Sequence, residues 1–256
     1  MKRSWIALIL VICIGLTGAG IAVFHHRAET PVITCGDFSM DNTDLAYYYW
    51  SEFFYFSEVF GDYLQERVDF SRPLSEQPYD GQRSWQDYLL EDALATVRDT
   101  MVMVFAAREE GFALPEAYDS QYQQQLVDFA DAARRAGCRD LEEYLRNSYG
   151  KKASVETFSE YLLQTHLAAA YADHLLEQTV ISDEAVLEQF ERHRDDYTAV
   201  YGYDPDTPEQ WMEPIREELQ TEAYQNAFRQ LQSRWQFKIN RDAIRLRPPK
   251  GLYEGQ

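Results

Sequence analysis

The side chains best suited to chemistry in this chain are its histidines and its 43 carboxylates, and neither set has the spacing that catalysis or metal binding needs. His166 and His174 stand eight apart on one predicted helix, about 80° off a common line, and His193 falls on the next helix. No pair has the i, i+4 ligand spacing of a zinc helix, and HExxH, CxxC, GxSxG and phosphate-loop patterns are absent from the sequence. These histidines read as exposed or internally satisfied groups rather than ligands. Carboxylates are so numerous that neighbouring pairs arise by coincidence, so no general acid or base is assigned. No catalytic, cofactor-binding or metal-ligating residue is assigned.

What the sequence concentrates instead is aromatic surface. Eight of the ten residues from Tyr47 to Phe56 are aromatic, in a chain with a formal net charge of -19. At 100° per residue, Leu45, Tyr49, Phe53, Phe56, Phe60 and Tyr63 make a core-like stripe. Tyr48, Tyr55 and Val59 widen it on one side, and Ala46, Trp50 and Phe54 on the other, with Tyr47 beyond Phe54. Ser51, Glu58 and Asp62 share a narrow polar strip, while Glu52 falls inside the apolar arc, where a carboxylate needs a partner or water. A helix apolar nearly all round is either enclosed by neighbours or keeps surface for a partner. The run Met101–Phe105 poses the same choice, since methionine and aromatic side chains repack around unlike partners at little cost. Tyr47, Tyr48, Trp50, Phe54, Tyr55, Met101, Met103 and Phe105 are therefore the candidate residues for gripping an apolar polypeptide, with core packing as the competing reading.

The elements that position these residues are mostly helical. "TPVITCGDFS" reads as one short strand ending in turn residues. The first helix is expected from Asn42 to Gln65, followed by a loop with two prolines. Ser84 and Asp87 make a capping box for the second helix, which Gly111 stops. A third helix opens at Pro115 and closes at Gly137, and a fourth ends at Gly150. Ser154 starts a fifth, and Ser182 a sixth that runs to Tyr197. After the nine-residue connection Thr198 to Asp206, a capping box at Thr207–Gln210 opens the last helix, to about Trp235. "WQFKINRD" reads as a second strand. Two lone strands at opposite ends of a helical domain have unsatisfied backbone groups unless they pair, so the ends are expected to meet.

The uncharged run Trp5–Phe24 is long enough to span about 30 Å as a helix, and it reads as a membrane segment or signal peptide. Its length favours an uncleaved anchor, and Lys2 and Arg3 favour a cytoplasmic N-terminus with the bulk of the chain extracytoplasmic, or secreted if the segment is cleaved. Residues 1–27 form this segment, 28–246 the helical domain and 247–256 a disordered tail. Without residues 1–27 the chain keeps 21 basic against 43 acidic side chains, a net charge of -22. That disfavours nucleic acid and anionic lipid as partners. Cys35 and Cys138 read as separate thiols, with their pairing left open.

The order "ITCGDFSMDNTDLAYYYW", then "PLSEQPYDGQRSWQDYLLEDAL", "AAREEGFALP", "LEEYLRNSYG", "ISDEAVLEQFERHRDDY" and "FRQLQSRWQFKIN", resembles the chaperone domain of the SurA/PrsA group of membrane-attached or secreted foldases over roughly Val32 to Ile244. The resemblance implies a multi-helix chaperone domain; with the strand pairing and the apolar segment read above, the expected fold is mostly α, with a short two-stranded sheet joining the domain's ends and a single transmembrane helix before it. It also implies ATP-independent holding of unfolded exported polypeptides, with no cofactor. In that family a parvulin prolyl isomerase module commonly precedes the closing helix. Here nine residues, Thr198 to Asp206, stand in its place. The expectation is thus a holdase rather than an isomerase. The alternatives are an anchored adaptor for one folded envelope or secretion partner, and a peptidyl-prolyl isomerase with an unrecognised site; self-association is left open.

Overall fold

The computed structural model describes residues 30–250 and 252. The apolar segment Trp5–Phe24, on which the anchor expectation rests, lies outside the described residues. Among the described residues no helix is long and apolar enough to cross a membrane. They are mostly helical with one small antiparallel sheet, and they divide into two compact units, Tyr171–Arg234 and the remainder.

The sheet of the first unit has three strands rather than the two expected. β1 (Ile33–Cys35) lies between β2 (Phe38–Met40) and β3 (Lys238–Ile239), antiparallel to both. Residues expected to form a turn instead make a hairpin. Cys35 faces Phe38 across Gly36 and Asp37, and Gly36 takes φ +56, a conformation that costs a residue without Cβ nothing. On the other edge Ile33 faces Ile239 and Thr34 faces Lys238, so the expected pairing of the domain's ends is observed. The Asn240 N–H extends the ladder to the Val32 carbonyl at 2.8 Å.

Side chains reinforce this closure. Asn42 donates to the Ala243 carbonyl at 3.0 Å and accepts from the Arg245 N–H at 2.6 Å. Arg241 donates to Glu91 from both terminal guanidinium nitrogens, at 2.5 and 2.9 Å. Phe105 is the ring on which the closure packs, edge-on to Phe38 and Trp235, each at 5.6 Å, and parallel to Phe237 at 6.1 Å.

α1 (Asn42–Val59) starts at a capping box in which the Asp41 carboxylate accepts from the Thr43 and Asp44 N–H groups and Asp44 accepts from the Asp41 N–H. Such a cap stabilises a helix by about 1 kcal/mol. The single helix expected to Gln65 is broken at Phe60, whose φ of -121 leaves the helical region, and α2 (Gly61–Arg67) starts afresh at a glycine. The loop to the next helix is held by Gln77, which is buried. Its side chain accepts from the Asp69 N–H at 2.7 Å and donates to the Asp69 and Arg72 carbonyls at 2.8 and 2.9 Å.

α3 (Trp85–Glu109) follows the Ser84–Asp87 capping box and ends before Gly111, at φ +65. It packs chiefly against α1, and Leu89, Ala93, Val97 and Met101 make its innermost row at i, i+4 spacing. α4 (Glu116–Arg135), α5 (Leu141–Tyr149) and the first two-thirds of α6 (Val155–Gln178) complete the unit. The described part of the tail expected to be disordered is tethered, because the Lys250 N–H donates to the Asn147 carbonyl at 2.8 Å.

The second unit comprises the end of α6, α7 (Asp183–Arg192), α8 (Arg194–Asp196), a π-helical turn (Tyr197–Tyr201) and α9 (Pro208–Arg234). The helix expected to run unbroken to Tyr197 stops at His193, whose φ is -121. Its core gathers Val186, Phe190, Tyr197, Trp211 and Ile215. Phe190 stacks on Trp211 at 3.9 Å, and the Trp211 indole N–H donates to the Asp204 carbonyl at 3.0 Å. Tyr197 donates from its hydroxyl to Glu218 at 2.9 Å, and burial and the Glu218 charge together push that phenol up to about 12.

Candidate functional site

α1 changes character along its length. Its first three turns are core. Tyr47 is fully buried among Tyr149, Phe158 and Tyr161, with ring centroids 5.0 to 5.4 Å away, and its hydroxyl meets the Thr157 hydroxyl at 2.6 Å. Tyr48 meets Tyr161 edge-on at 4.9 Å, and burial raises its pKa well above the ordinary phenol value. Trp50 sits between Tyr49 and Phe53 at 4.7 and 5.5 Å. All three were candidates for a binding surface, and their burial removes them from it. Met101 and Met103 are buried as well, and Phe105 is occupied by the closure. For these six residues the competing core reading describes what is observed, because α3 is covered on every side from Met101 to Val104.

The transition falls at Ser51 and Glu52. Ser51 hydrogen-bonds with Tyr149 and Tyr161, whose phenols burial pushes up, that of Tyr161 to about 12. Glu52 accepts from the Thr96 hydroxyl on α3 at 3.0 Å. Burial raises its pKa, the hydrogen bond from Thr96 opposes the rise, and the nearby Asp92 carboxylate adds to it. Of the two expectations for Glu52, a partner or water, the structure supplies a partner, the Thr96 hydroxyl.

Beyond Glu52 Phe53 and Leu64 stay buried, but other apolar side chains come to the surface. Phe54, Tyr55 and Val59 are each 39% exposed, Phe60 is 48% and Tyr63 is 40%. Phe54 and Tyr55 are the two sequence candidates that this face retains. Phe54 keeps partial ring contact with Phe53 at 5.7 Å and Tyr149 at 6.4 Å. The other three were read as members of one continuous apolar arc. That projection fails at Phe60, where the helix breaks, and Gly61 was the signal for it.

Glu58 lies one turn from both Phe54 and Tyr55, so α1 presents two rings, an aliphatic group and a carboxylate on one exposed face. Past the break, Asp62 and Glu66 are also exposed. The Arg67 guanidinium lies over the Tyr63 ring, 4.4 Å from its centre.

The groups with catalytic potential are scattered. His166 is buried in the first unit and His193 belongs to the second, where its Nδ1 lies 3.8 Å from Asp196. Among the described residues no three or more His, Cys, Asp or Glu side chains form a metal-holding group. Cys35 and Cys138 are both free thiols, and burial raises the pKa of Cys35. The exposed face carries apolar and π surface with carboxylates set among it. Compared with protein-family models, curated proteins and solved structures, the chain matches none.

Proposed function

We propose that this chain is an ATP-independent holding chaperone, kept at the extracytoplasmic side of a membrane by its apolar segment Trp5–Phe24, that grips unfolded exported polypeptides on the face of α1 and α2. One observation carries the reading: five large apolar side chains between Phe54 and Tyr63 are each at least 39% exposed on a strongly acidic chain. Large apolar side chains exposed close together along the chain suit a surface for a partner. Rings held on a helix suit unlike clients, because contact through apolar and π surface asks for no defined sequence. The resemblance to the SurA/PrsA chaperone domain points the same way. The short connection where that family carries its isomerase module points away from catalysis.

The full chain in zwitterionic nanodiscs is expected to slow aggregation of an unrelated, chemically unfolded protein without ATP, with no acceleration of prolyl isomerisation in a short peptide. The double substitution Phe54→Ser with Tyr55→Ser should abolish the delay while leaving thermal unfolding close to that of the parent, since both side chains are already partly in water. Tyr47 and Tyr48 are unsuitable for this test, because replacing buried rings would unfold the domain. Holding that survives the double substitution, or isomerase turnover at enzyme-like rates, would overturn the proposal.

A further inference from the structure

Resting on that reading, we infer that the α1–α2 face selects basic-apolar segments, in which aromatic or aliphatic side chains alternate with lysine or arginine, over neutral or acidic segments of equal hydrophobicity. The apolar groups do not stand alone on this face. Glu58 is exposed between Phe54 and Tyr55, at i, i+4 and i, i+3 from them, and Asp62 is exposed one residue before Tyr63. A segment laid across the rings therefore brings its own charged side chains within reach of carboxylates. Arg or Lys gains there, and Asp or Glu is repelled.

Two further features favour a cation. Arg67 already lies over Tyr63 at 4.4 Å, so this surface makes with its own arginine the ring-to-guanidinium contact that a client arginine would repeat on Tyr55 or Phe54. At the edge of the face, Glu52 is half-buried beside Thr96 and Asp92, and the hydrogen bond it accepts from Thr96 comes from a neutral hydroxyl. An approaching cation would stabilise its charged form.

The same charges disfavour the other occupants of an apolar face. A second copy docked face to face would set Glu58 and Asp62 against like charges, and anionic lipid would meet the same repulsion.

The test uses three peptides of equal length and identical Phe and Leu content, interspersed with Lys, Ser or Glu. Their binding to the full chain in zwitterionic nanodiscs is measured at low and high salt, with empty discs as control. The Lys peptide should bind about tenfold more tightly than the Glu peptide at low salt, with the ratio falling at high salt. The pair Glu58→Gln and Asp62→Asn should bring the ratio of Lys- to Glu-peptide affinity close to one. Equal binding of all three peptides would overturn the inference and leave the holding reading intact. A Lys preference untouched by the two substitutions would also overturn it, because the selectivity would then belong to the chain's overall charge. Binding of none of the three would instead overturn the holding reading beneath it. Concentration-dependent self-association that Tyr55→Ser abolishes would assign the face to a second copy and refute the inference.

Discussion

His166 gives the first unit a pH dependence whose size can be worked out from its surroundings. The imidazole is fully buried on α6, with Nε2 at 3.3 Å from Gln125 Oε1 and Nδ1 without a hydrogen-bond partner. The amide oxygen only accepts, so Nε2 carries the proton and a second proton would go to Nδ1. Burial there lowers the imidazole pKa from 6.5 to about 2. The unfolded chain titrates at the ordinary value, so below about pH 6.5 it binds a proton that the folded chain does not. Stability is full above that pH and is lost as pH falls from there toward the folded value. Between about pH 7.5 and about pH 5 the loss is about 2 kcal/mol, set almost wholly by the unfolded state, so it is the same for any folded pKa below about 4. Denaturant unfolding followed by tryptophan fluorescence, at both pH values, should show this loss in the parent and its absence in His166→Gln. Carboxylate contributions common to both chains cancel in the difference. An equal loss in the two chains would refute the argument. So would a ring-proton resonance of His166 titrating near pH 6.5 in the folded protein.

Two further expectations concern stability. Gln77→Leu leaves the Asp69 N–H and the Asp69 and Arg72 carbonyls without the partner that holds the loop, and it should cost about 2 kcal/mol in denaturant unfolding. Trp211→Ala removes the indole stacked on Phe190 and should destabilise the second unit by roughly 3–5 kcal/mol. Hydrogen exchange should then accelerate in α7 and α9 while the amides of β1 and β3 stay protected; uniform acceleration would show that the two units unfold as one.

Much of the helical framework was legible because its boundaries are local chemistry. The Ser84–Asp87 capping box and the positive-φ glycines at 111, 137 and 150 mark ends that neighbouring backbone groups dictate, and they stand where the sequence places them. The pairing of β1 with β3 was legible for a different reason, since lone strands must find partners. What escaped depends on tertiary context. Residues 36–40 carry too few side chains for strand alternation to declare itself, so β2 was hidden in an expected turn. The breaks at Phe60 and His193 fall inside runs whose helical periodicity continues on both sides, and periodicity does not register a single residue that leaves the helical region. The Asn42 clasp on Ala243 and Arg245 joins residues some 200 positions apart, which no local signal announces.

The candidate site was half legible for the same reason. Periodicity shows that α1 is apolar over most of its circumference, but not which length of it has neighbours. The neighbours of the first half are α3, α5 and α6, and the rings of Tyr149, Phe158 and Tyr161 close over Tyr47 and Tyr48. Two turns further on, Tyr55 has the same side chain and the opposite situation. A buried large apolar side chain contributes roughly 1.5–3 kcal/mol to folding; a ring left 39% exposed forgoes part of that. Phe54, Tyr55, Val59, Phe60 and Tyr63 all forgo it together, over ten consecutive residues. Scattered exposure of single apolar residues is ordinary, whereas five close together in sequence, on α1, at the break that ends it and on α2, are the feature on which the proposed holding surface rests. The distinction turns on the chain's fold around α1, not on the composition of α1 itself, so identical tyrosines there divide between core and surface.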